Sequence, residues 1–145
     1  EYRYYNESLP VDNQNLINSW RASDPYFGYN ISLTGDRELV HWKHYFDIAG
    51  YEAVGMYEGA YLYNMGAWRP EYISCMEDNR PYYNAPSREA IVRRIMKASG
   101  STFDFDDFLA KDARALSSGA AMAAQAPAVP YDFVPLAPPV LIDNR

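Results

Sequence analysis

Two histidines, His41 and His44, stand three residues apart and are the only ones in the chain. On a helix that spacing brings both imidazoles to roughly one face, as two ligands of a zinc ion require; on a strand it sends them to opposite faces. Zinc needs three or four ligands, and no further His or Cys pattern completes the set. The plainer alternative is a surface His41 and a hydrogen-bonded, structural His44. The single cysteine, Cys75, could form a thiolate pair with His44. A lone cysteine beside Met76 is more often a small buried hydrophobe. Glu52, Glu58, Glu71 and Glu77 supply carboxylates, but their spacing singles out no acid–base pair. No phosphate loop or dinucleotide fingerprint is present. The reactive side chains alone leave the chemistry open.

The elements that must position these groups fit one domain, given 145 residues of which 48% are hydrophobic. Turn signals recur at short intervals through residues 1–36, with a short helical turn expected over 15–21 from the spacing of Leu16, Ile17 and Trp20. Val40–Phe46 reads as either a strand or a short helix. Gly55, Gly59 and Gly66 interrupt the next stretch, which reads as irregular structure. Two helices are better marked. The first spans about 86–99, with Pro86 in its first turn and Gly100 as its stop. Ile91 and Ile95 are expected on its inner face, with Arg88, Arg93, Arg94 and Lys97 in water. The second spans about 105–116, capped by Asp104, with Phe105, Phe108, Leu109 and Leu116 as its inner stripe. Together they read as a terminal helical hairpin.

From Ser117 small residues and prolines dominate, giving a tail, 117–145, that buries little by itself. Its apolar groups, Tyr131–Val134 and Val140–Ile142, suit docking in extended form. A net charge of −6 argues against a nucleic-acid partner, which needs a clustered basic surface. No stretch is long and apolar enough to be a transmembrane segment. Fourteen tyrosines suit a wet groove, because the ring can be buried while the hydroxyl stays available.

Five short segments occur in a telling order: Trp42-Lys43-His44, Tyr57-Glu58-Gly59-Ala60-Tyr61, Gly66-Ala67-Trp68-Arg69-Pro70, Ser74-Cys75-Met76 and Asn84-Ala85-Pro86-Ser87-Arg88-Glu89-Ala90-Ile91. Arg94-Ile95-Met96-Lys97 and an acidic, Phe-bearing helix follow. Over Val40–Asp112 the chain resembles the C-terminal part of the IgA-peptidase family of zinc metallopeptidases, particularly members from gut Bacteroidetes. The resemblance implies an α+β, loop-rich fold: a C-terminal subdomain of a metzincin-like peptidase over residues 1–116, ending in the helical hairpin and the extended tail.

The family carries HExxH on a helix, followed by an Asp-Glu-Tyr element, and Glu1-Tyr2 is similar to the end of that element. The resemblance therefore implies that the main zinc ligands and the general-base glutamate lie upstream, in an N-terminal part of the same catalytic domain. This chain alone would be inactive. Met76 would be the Met-turn residue, a hydrophobic floor beneath the metal ligands. Glu58, Arg69, Tyr57 and Tyr61 would bind substrate or support the metal's ligands, while His44 and Glu1 are the candidates here for direct metal contact. Trp68 stands where relatives usually carry Tyr. The implied enzyme is a secreted or cell-surface zinc endopeptidase acting on protein or peptide substrates. A second reading is a non-catalytic glycan- or peptide-binding module with a tyrosine-rich surface.

Overall fold

The computed structural model describes residues 5–74 and 82–112. The tail 117–145, Leu116, Cys75, Glu77 and the site candidates Glu1 and Met76 lie outside the described residues. What is described is a small α+β fold with three helices and a three-stranded sheet. In chain order the elements are β1 (Tyr5–Ser8), α1 (Val11–Ser23), a single 3-10 turn (Lys43–Tyr45), β2 (Tyr57–Ala60), β3 (Tyr63–Arg69), α2 (Ala85–Ala98) and α3 (Phe105–Lys111). The sheet order is β1-β3-β2, with β1 parallel and β2 antiparallel to β3.

The expected irregular stretch is in fact the β2–β3 hairpin. Tyr61 and Leu62 form its two-residue turn with positive φ at both positions, 53° and 74°. This is the backbone of a tight primed turn, which usually takes Asn-Gly. Neither residue advertises it. Gly59, with φ 98°, sits where the β2–β3 register shifts between Glu58 and Ala60. That bulge requires a left-handed backbone, which glycine supplies at no steric cost. Val40–Phe46, read as strand or helix, is a run of turns around the 3-10 segment. The helical turn expected over 15–21 is the longer α1, of which only Ile17 is buried.

Helix α2 begins and ends as its sequence indicates. The Asn84 side chain accepts a hydrogen bond from the Ser87 N–H at 3.0 Å, satisfying one orphan donor of the first turn. At the other end Gly100 N–H reaches the Lys97 carbonyl and Ser101 N–H the Met96 carbonyl, a Schellman closure with Gly100 at φ 72°. Its faces depart from the expectation in part, for Arg94 and Lys97 are exposed as expected but the apolar face is not where the isoleucines placed it. The buried positions are Ala85, Pro86, Glu89 and Ala90, while Ile91 and Ile95 are 41% and 61% exposed. Arg88 and Arg93 lie largely against protein rather than in water. Small side chains let α2 approach closely, and the buried carboxylate of Glu89 binds His44 and Arg93 directly. Helix α3 is capped by Asp104, whose side chain accepts from the Asp107 N–H at 2.7 Å, and it ends at Lys111.

Two apolar clusters hold these pieces. Val40, Trp42, Tyr45, Tyr51, Val54, Ala85 and Phe108 form the first, joining the central loops to α2 and α3. Leu9, Ile17, Ile31, Ala60 and Ala67 form the second, between α1 and the sheet. Trp42 is fully buried and donates its indole N–H to the Gly55 carbonyl at 2.8 Å, which fixes the loop entering β2.

Candidate functional site

Glu89 is the centre of the polar interior. Its side chain is wholly inaccessible to solvent, a costly position for a carboxylate unless its oxygens are all engaged. Arg93, one helical turn on, donates to Oε1 at 2.6 Å. His44 Nε2 lies 2.7 Å from Oε2, and the Tyr29 hydroxyl donates to Oε1 at 3.4 Å. Burial pushes the Glu89 carboxyl upward, but the hydrogen bonds and charges of His44 and Arg93 outweigh it and hold the group below its usual value. The Tyr29 hydroxyl is pushed up to about 12, by burial and then by the Glu89 charge. The phenol therefore stays protonated as a donor. The whole arrangement suits a fixed counter-charge that ties α2 to the 3-10 turn and to the 26–30 loop.

A second acidic network runs beside it. Glu71 is buried; one oxygen accepts from the Tyr82 hydroxyl at 2.5 Å and the other from the Ala85 N–H at 2.7 Å. Arg88 forms a two-pronged pair with Asp112, closest at 2.6 Å, and Asp112 also accepts from the Tyr51 hydroxyl. Ser74 and Asn84 are also buried.

The candidates drawn from the sequence fall into separate places. Arg69 is 1% exposed. It donates to the carbonyls of Glu58 and Gly59 in the bulge and to that of Tyr72. It therefore clamps the hairpin to the chain that follows it. Glu58 is exposed, and its carboxylate accepts from the Gly66 N–H at 3.0 Å, across the same hairpin. Tyr57 lies edge-on to Tyr72 at 5.9 Å, and Tyr61 forms the turn. His41 is exposed and stacks on Tyr29 at 5.7 Å, so the two histidines meet different neighbours. Among the described residues no group of three or more His, Cys, Asp or Glu side chains is placed to hold a metal. On their own the described residues do not fit a zinc ion.

A cleft of about 310 Å³ opens between the 26–30 loop and α2, walled by Tyr26, Tyr29, Asn30, Tyr83, Ile91 and Arg94. At its edge Arg94 pairs with Asp24, just beyond α1. Rings, an amide and a guanidinium in one concavity are the groups that hold a peptide or a sugar. Neither Glu89 nor this cleft is foreseen from the sequence. The i,i+4 pair Glu89–Arg93 was a visible signal, but the cleft joins residues some 60 positions apart, and nothing local marks it.

No protein-family model matches this sequence, and neither a curated protein nor a solved structure matches it.

Proposed function

We propose that this chain is the C-terminal part of the catalytic domain of a secreted zinc endopeptidase, supplying the framework and walls of a cleft for protein substrates. One observation carries the reading. Among the described residues, the largest side chains that the fold buries completely include Trp42, Arg69, Pro70, Ser74, Asn84, Pro86 and Glu89, all inside the segments that resemble the IgA-peptidase family, with Ile17 and Tyr45 outside them. A chance likeness would have no reason to concentrate on interior positions. Here those segments are tied to one another, His44 to Glu89 and Arg69 to the carbonyls of Glu58 and Gly59.

On this reading the zinc is held by residues upstream of Glu1. Bound zinc would supply a water of lowered pKa and polarise the peptide carbonyl. The described side chains act as positioning groups: Glu89 fixes His44 and α2, Arg69 fixes the hairpin, and Glu71 fixes the start of α2. The glycan- or peptide-binding module draws on a different observation, namely the tyrosine-walled cleft with Tyr83 54% exposed at its mouth.

Intact mass and zinc content, measured on one sample of the protein from its source, separate the two. The peptidase reading expects a polypeptide or complex well above 16.6 kDa carrying about one zinc. A stable, zinc-free monomer of 16.6 kDa with saturable ligand affinity overturns it in favour of the binding module.

A further inference from the structure

An apolar groove of about 450 Å³ lies between α2 and α3, walled by Ile91, Val92, Met96, Phe103 and Phe108. It continues onto the exposed Ile91 and Ile95 of α2. Its charged rim is already paired internally, Arg88 with Asp112 and Lys111 with Asp107. An occupant therefore gains little from charge and much from apolar area. We propose that the occupant is this chain's own C-terminal segment, Phe133–Ile142.

Three facts single out that segment. From Phe133 to Ile142 the sequence contains no charged or polar side chain, which matches a groove with a self-satisfied rim. Pro135, Pro138 and Pro139 each remove a backbone N–H that would otherwise need a partner when buried, and they favour the extended form that a groove accepts. Finally, the chain passes Asp112 on the lip of the groove. About 20 residues then separate Asp112 from Phe133, and a chain of that length has a root-mean-square span of roughly 25 Å. Such a tether holds the segment at an effective concentration of order millimolar, an advantage that no free partner shares. The inference is independent of the peptidase reading.

Methyl-labelled full chain tests it by NMR. Cross-peaks are expected between the Leu141 and Ile142 methyls and the Phe103 ring or Met96 methyl. Replacing Leu141→Asp and Ile142→Asp together should abolish them and shift the Ile91, Ile95 and Met96 methyls, leaving Ile17 in place. Met96→Asp, on the groove wall, should release the segment in the same way. Groove methyls unmoved by the paired tail substitution overturn the proposal. So do cross-peaks seen only between differently labelled molecules in a mixed sample, which would make a second copy the occupant.

Discussion

At the scale of single residues, the chemistry of this chain is spent mainly on holding itself together. Glu89 has donors on both oxygens, and the partners of Arg69 include three backbone carbonyls. Glu89→Gln removes the buried charge opposite His44 and Arg93, and should cost about 3 kcal/mol in a urea titration near neutral pH, as breaking a buried pair does. The pH dependence has a definite sign. Glu89 titrates lower when folded than its ordinary value of 4.5. Its contribution is therefore fully present above pH 4.5 and fades as pH falls through the lower folded value. Wild type should lose stability over that acid range more steeply than Glu89→Gln; equal slopes would deny Glu89 this role. Arg69→Met keeps the bulk but strips the carbonyls of their donor, for an expected loss of about 2 kcal/mol. If Arg69 instead contacts substrate, its replacement would raise KM in the complete enzyme and leave unfolding unchanged.

At the scale of elements, the hairpin turn is the exposed weakness. Tyr61 and Leu62 both occupy the left-handed region, which costs a side-chain-bearing residue roughly 1–2 kcal/mol. Tyr61→Asn with Leu62→Gly should therefore raise stability by about 1–2 kcal/mol, read from the urea midpoint. No gain would mean that Tyr61 makes packing contacts worth as much as the strain. These same residues explain why the hairpin was illegible in the sequence: a primed turn is recognised by Asn or Gly, and this one has neither. Gly59 reads as an interruption in the sequence, although it serves the bulge inside a strand pair. Both ends of α2 and the start of α3 were legible because Pro86, Gly100 and Asp104 act locally; the end of α3 was not, since the helix expected to reach 116 stops at Lys111. The faces of α2 were not, because periodicity ranks Ile91 and Ile95 above Glu89. Only the tertiary partners His44 and Arg93 make Glu89 an inward residue.

At the scale of the whole molecule, one apolar cluster holds α1 against the three-stranded sheet, and the other, with two polar networks beside it, holds α2 and α3 against the central loops. Apolar surface is left open on α1, where Val11, Leu16 and Trp20 are exposed, and on α2. Under the proposed function, the surface on α1 is where an upstream half would pack, and the polar scaffold would hold the cleft's walls rigid. The most direct test is hydrolysis of a quenched-fluorescent peptide library by the protein purified from its source, before and after chelation. The account predicts cleavage that stops when zinc is removed and returns when zinc alone is restored. Hydrolysis indifferent to the chelator, or none from a folded protein loaded with zinc, would contradict it.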